Sequence, residues 1–226
     1  MTTPPVLAPD PFAALPPVIR WLFERCKPGQ EASALVDPTL SLGALCQAWT
    51  DSELLPDVIR LIASVLPERE SVWWAWVSAR HASQTDGGQP LTAAAHRCLS
   101  SIEQWIVAPG DDSRRAVWAD GSEAGLDTPV GMIAAAVFLS GNSVTPPDAP
   151  PVPPPPGMAM PLVVGAILLS SASTSKADQV IPTMTAFAAQ GLEIVKRLGG
   201  WDKALEAAHD RSRRQQEDYD RAVQKP

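Results

Sequence analysis

Arg80 and His81 stand one turn beyond a run of three tryptophans, Trp73, Trp74 and Trp76, and side-chain chemistry is most concentrated here in the 226-residue chain. A guanidinium and an imidazole beside indole walls could hold an anionic group. The same residues also serve architecture, since Arg80 can stack on the Trp76 ring and a histidine at a helix C-terminus favours the helix dipole. A second set, His96, Ser100 and Glu103, falls on the polar side of a later helical pattern. An acid–base pair is imaginable there, but a solvated helix face explains the spacing better.

Other chemistry is sparse. Cys26, Cys46 and Cys98 are odd in number, far apart and set among apolar residues, so they read as small buried hydrophobes in a reducing compartment. The histidines His81, His96 and His209 have no second ligand at metal spacing. There is no glycine-rich phosphate loop, Gly-x-Ser-x-Gly elbow or His-Glu-x-x-His. No catalytic residue, metal ligand or cofactor is assigned; an enzyme would need converging carboxylates in a small pocket near Arg80, His81 or Arg114.

The elements that must carry these residues are helices. Pro67 ends one helix, and Glu68 and Glu70 suit the positive end of the next, which runs through the tryptophans. In that helix bulky residues lie on one side and Ala75, Ser78 and Ala79 on the other, with no solvated charged stripe. Earlier helices are expected over Val18–Cys26, from Asp37 to about Trp49, and from a Ser52 cap through Leu66. Later ones are expected over Leu91–Ile106, from Asp111 through Trp118, over Val130–Ser140 and Leu162–Ser170, and over Lys176–Leu198 with an interruption at Pro182. Trp201–Val223 is heavily charged, and the pattern predicts an exposed helix that frays.

The fold class is therefore all-α: a single multi-helix bundle of stacked helical hairpins. Residues 1–17, with six prolines, form an N-terminal arm anchored by Phe12 and Leu15; residues 18–200 form the helical domain; residues 201–226 form a charged C-terminal helix or tail. Inside the domain, residues 142–161 include the run TPPDAPPVPPPPG with its eight prolines, which cannot be helix or central strand, so they run as a polyproline strap. The strap either covers the protein's own tryptophans or docks on a partner through Val152, Pro153, Pro154, Pro155 and Pro156. Residues 84–90 form a flexible connection. Trp73, Trp74, Trp76, Arg80, Trp105 and Trp118 are assigned to the structural core, and Trp201 and Tyr219 join the partner-binding candidates.

A net charge of −7 argues against a nucleic-acid partner and against anionic membrane surfaces. The most apolar windows, Val130–Leu139 and Pro161–Leu169, are about 10 residues long, short of a membrane span. The first residues lack the basic start and apolar core of a secretory signal, which implies a cytoplasmic protein.

Leu66, Pro67, Arg69, Val72, Trp73, Trp74 and Ala75, with Ala79 and Arg80, then Ala135, Ala136, Phe138, Ser140, Gly141 and the Val152–Pro156 run, resemble an uncharacterised family of small bacterial proteins. Its members are often encoded beside type VI secretion genes, and the resemblance spans roughly residues 50–175. It implies an adaptor or co-chaperone that helps an effector reach the secretion spike, with a protein partner: an effector, its chaperone or a spike component. An immunity protein that neutralises one cognate toxin is the alternative, and an enzyme with a pocket near Arg80 and His81 is the second.

Overall fold

Each helix begins where a residue suited to helix entry precedes an apolar run. The computed structural model describes residues 12, 14–84, 90–173 and 176–223, and among these it contains eleven α-helices, one 3-10 turn and no strand. The helices are α1 (Pro17–Cys26), α2 (Gln30–Ala34), α3 (Leu42–Asp51), α4 (Leu55–Val65), α5 (Glu68–Gln84) and α6 (Ala93–Val107). They continue with α7 (Asp111–Ala124), α8 (Pro129–Leu139), α9 (Ala159–Ala172), α10 (Val180–Arg197) and α11 (Trp201–Val223), with the 3-10 turn at Ala177–Gln179. The protein is all-α. The greater part of the N-terminal arm and residues 85–89 of the flexible connection lie outside the described residues.

Side-chain caps open three of the helices. Ser41, Thr92 and Thr128 accept from the backbone N–H groups of Ala44, Ala95 and Gly131 at 3.2, 3.1 and 3.1 Å. Prolines sit in the first turns of α1, α4 and α8, where a missing N–H costs nothing. Pro182 likewise falls in the first turn of α10, so the expected interruption is a helix start after a 3-10 turn.

Three entries differ from expectation. Asp37 does not start a helix: its carboxylate accepts from the Thr39 N–H and hydroxyl, closing a local turn, and α3 opens at Leu42. Ser52 terminates α3 and does not cap α4, because Glu53 takes a left-handed φ of 56° that breaks the chain direction between them. The short α2 lacks an apolar repeat and has no counterpart among the expected elements; Ala32 is its buried residue.

The most deeply placed helix is α4. Leu55, Val58, Ile59, Leu61, Ile62 and Val65 are each no more than 1% exposed, because α1, α3 and α11 pack on one part of its surface and α9 and α10 on another. Helix α5 is the second centre, contacted by α6, α8, α9 and α10. The consecutive helices α6, α7, α8 and α9 each pack on the next, the hairpin-like stacking expected of the chain. In this stack an added Cβ at Gly121 would come within 2.2 Å of the Ala134 Cβ, so α7 and α8 cross with only a glycine between them.

The side assignment of α5 requires a correction. Trp73 is 39% exposed and Arg80 is exposed, and with Arg69 and Gln84 they form an outer stripe that also carries half-buried Val77; neither Trp73 nor Arg80 belongs to the core. Small residues permit the closest helix approach, so the Ala75, Ser78, Ala79 and Ala82 face is the one turned inward as α5 packs on α8 and α9. Trp74, Trp76 and Trp105 are buried, and Trp118 is half-buried and stacked on Phe138 at 4.7 Å.

Helix α11 also departs from the frayed appendage expected of its charge. Ala204, Leu205 and Ala208 are buried, and the same face continues through half-buried Arg211, Gln215 and Tyr219. Arg211 Nη2 donates to the Val65 carbonyl at 3.1 Å, and Gln215 Nε2 donates to Glu68 Oε1 at 2.6 Å, fastening α11 over the junction of α4 and α5.

Candidate functional site

The two basic residues after the tryptophans part company in the structure. Arg80 lies over the Trp76 ring at 4.7 Å, as the one-turn spacing suggests, while the His81 ring meets the edge of Phe187 at 5.8 Å. They do not build one pocket. Arg80 instead borders an open depression of about 510 Å³ with Trp76, His96, Ser100 and Glu103. His96, Ser100 and Glu103 are exposed, and among the described residues no hydrogen bond joins the histidine and glutamate side chains. A charge pair in such a setting is screened by water.

The cysteines are buried thiols. Burial is the main cause that pushes Cys26 and Cys98 up to about 12 and Cys46 up to about 11, from an ordinary value of 9.0. Nearby Asp57 and Asp120 add to the rise at Cys26 and Cys98. Thiolate is the reactive form, so the native protein should leave all three cysteines unlabelled by Ellman's reagent at neutral pH and release them on denaturation. Rapid labelling of any one before unfolding would show that its helix opens locally. The sign of the alkaline response follows: unfolded thiols ionise near 9 while native ones stay protonated to about 11–12, so stability is full below 9 and falls as pH rises through that window. Among the described residues no three His, Cys, Asp or Glu side chains are grouped to hold a metal ion.

The better-built site lies along the proline segment between α8 and α9. After α8, Arg114 reaches across from α7 and donates Nη1 to the Phe138 carbonyl at 2.5 Å and Nη2 to the Ser143 carbonyl at 2.9 Å. Ser143 Oγ then accepts from the Val152 N–H at 3.1 Å, and the Val144 N–H donates to the Val152 carbonyl at 2.8 Å. These bonds close residues 143–152 into a loop that delivers Pro153–Pro156 to the body at a fixed place.

There the prolines wall a cavity of about 450 Å³, facing Leu66 and Val72 from the α4–α5 corner, Val163 from α9, and Tyr219 from α11. Tryptophans are not among the residues lining this cavity. Met158 on its rim is 47% exposed, and nearby Val152 is 48% exposed. Of the partner-binding candidates, Pro153 to Pro156 and Tyr219 come together here, Val152 stands beside them, and Trp201 does not join them. Trp201 is half-buried against the start of α3, where its Cδ1 would lie 3.5 Å from a Cβ at Gly43.

Arg25, Glu68, Gln215 and Asp218 are among the polar residues of the lining. No sequence motif marks Arg25; the only available signal is a basic residue in the last turn of a helix otherwise buried on Leu22, Phe23 and Cys26. Its guanidinium is held below its ordinary pKa mainly by burial, with Glu68 opposing the shift and Arg211 adding to it. The arrangement supplies an apolar wall, a proline face and one embedded cation, which suits recognition of an extended or apolar group.

No curated protein matches the chain, and no solved structure does. Residues 45–195 match a family of unknown function, DUF6931, over a stretch that begins inside α3 and ends near the end of α10. With more than half of its length in that match, the chain belongs to the DUF6931 family.

Proposed function

We propose that the protein is a non-catalytic, cytoplasmic protein-binding accessory, an adaptor or co-chaperone for effector loading in type VI secretion. The observation that carries the reading is the proline-walled cavity, whose apolar lining and exposed Met158 and Val152 offer anchors of the kind protein partners use. Proline brings few conformations to be lost on binding, so a wall of four consecutive prolines, Pro153 to Pro156, presents contact area at low entropic cost. The secretion context itself is supported by the motif resemblance around Leu66–Arg80 and Val152–Pro156.

The test is genetic and biochemical together. Deleting the gene in its native host should stop delivery of an effector while leaving the cells protected from their siblings. Tagged wild-type protein should capture that effector, its chaperone or a spike component, and the pair Met158→Asp and Tyr219→Ala should abolish capture without moving the melting temperature. Sibling killing of the deletion strain, with a single toxin recovered on the tagged protein, would replace the adaptor reading with the immunity one. The acidic surface, at a net charge of −7, is what would favour that outcome, because it could cover a basic toxin active site.

A further inference from the structure

The cavity contains one group whose hydrogen-bonding capacity its surroundings leave unmet. Arg25 Nε is buried without an acceptor, and among the described residues no hydrogen bond or ion pair is made by the rest of this side chain. A guanidinium has five donors in a planar fork, and burying donors unpaired is unfavourable. Glu68 acts on Arg25 through space but beyond ion-pair distance, and its Oε1 already accepts from Gln215. The Trp21 ring lies 5.7 Å from the guanidinium carbon, and Gly157 also approaches it. A Cβ at Gly157, where φ is +78°, would stand 3.0 Å from Arg25 Nη1. Arg25 is therefore held at the proline wall with its fork uncommitted.

The rest of the lining limits what could meet that fork. Glu68 and Asp218 also border the cavity, so a doubly charged phosphate would face two carboxylates for one available guanidinium. A single carboxylate matches the fork with two parallel bonds and carries only one charge into the cavity. A volume of about 450 Å³ is within the range of small-ligand and peptide-anchor sites.

We propose that this cavity binds a monoanionic carboxylate carried on an apolar body, with the Arg25 guanidinium as anchor and Leu66, Val72, Val163 and the proline wall as the apolar contact. The proposal rests on the reading of the cavity as a recognition surface and narrows what that surface accepts. A partner's acidic residue on an apolar segment and a free organic acid present the same chemistry.

Decanoate, decanol and decylamine are suitable probes on the full chain, by calorimetric titration and thermal shift. Decanoate should bind about tenfold or more tightly than decanol, and decylamine should not bind. Arg25→Met should erase the decanoate advantage while melting within a few degrees of wild type, and Arg25→Lys, which keeps the charge but not the fork, should fall between. If Arg25→Met fails to fold, wild-type protein still decides the matter: saturating decanoate should protect Arg25 from phenylglyoxal, mapped by mass spectrometry. Equal binding of decanoate and decanol, or no protection of Arg25, would overturn the proposal. An acid released from the purified, denatured protein would identify a free ligand, whereas a partner captured by wild type and lost in Arg25→Met would identify a protein carboxylate; each supports the site. Secretion dependence without decanoate binding would retain the adaptor reading and remove this site, and decanoate binding without secretion dependence would do the reverse.

Discussion

Trp74→Ala should destabilise the protein by about 3–5 kcal/mol, enough to consume much of the stability of a typical domain. The indole is fully buried, and its Nε1 donates to the Phe187 carbonyl at 2.9 Å, tying α5 to α10. It also lies where a Cβ on Gly191 would stand 2.6 Å from its Cζ2, so the two helices are shaped around this ring and cannot easily close on the space it leaves. The loss therefore combines transfer of a large apolar surface, a residual cavity and one interhelical hydrogen bond, while the Phe187 carbonyl keeps its acceptor role within α10. Equilibrium denaturation followed by circular dichroism measures it. Trp74→Phe should recover part of the packing but not the hydrogen bond; a Trp74→Ala midpoint equal to wild type would mean that α5 and α10 are not joined through this residue.

Arg114→Ala should cost about 2–4 kcal/mol, and its effect should be uneven across the molecule. Arg114 is 3% exposed, stacks over Phe138 at 4.8 Å, and satisfies the Phe138 and Ser143 carbonyls. Its partner Asp111 has a side chain 57% exposed and is also bonded to Arg115, so the carboxylate left behind remains in water with a cation beside it. Its depressed pKa comes first from the Arg115 hydrogen bond and then from Arg114. The penalty accordingly comes from the two carbonyls and the lost packing, at about 1–3 kcal/mol for each unsatisfied buried group. Hydrogen exchange should accelerate first at the Val144 and Val152 amides, which hold the loop before the proline wall. Arg114→Lys should not rescue it, because an ammonium cannot reach both carbonyls and the carboxylate at once. Uniform acceleration across all helices would instead show that Arg114 serves the whole fold and not the loop.

Local pattern revealed the helices well wherever an apolar repeat met a cap or a proline, as at Thr128–Pro129 and at Glu68–Glu70 after Pro67. It misplaced the entries at Asp37 and Ser52, where polar side chains serve turns and helix ends as readily as helix starts. In α5 only Trp73 and Arg80 depart from the pattern, because bulk does not guarantee burial and their stripe faces water; the small residues Ala75, Ser78 and Ala79 pack against neighbouring helices as their size allows. The cavity was only half legible. Pro153–Pro156 announce a segment that is neither helix nor strand, but no spacing relates them to Arg25, Leu66 or Tyr219, which come from opposite ends of the chain. Such a site arises from tertiary packing, and periodicity carries no record of it.

The placement of α1 and α11 against α4 has a consequence for how the chain could be cut. The family match ends before α11 and begins after α1, yet both helices cover α4, the most deeply placed element of the fold. A fragment trimmed to the matched residues would open that helix to water and lose the Arg25 and Tyr219 walls of the cavity in the same step. The limits of shared ancestry and the limits of an autonomous folding unit are therefore different lines on this chain.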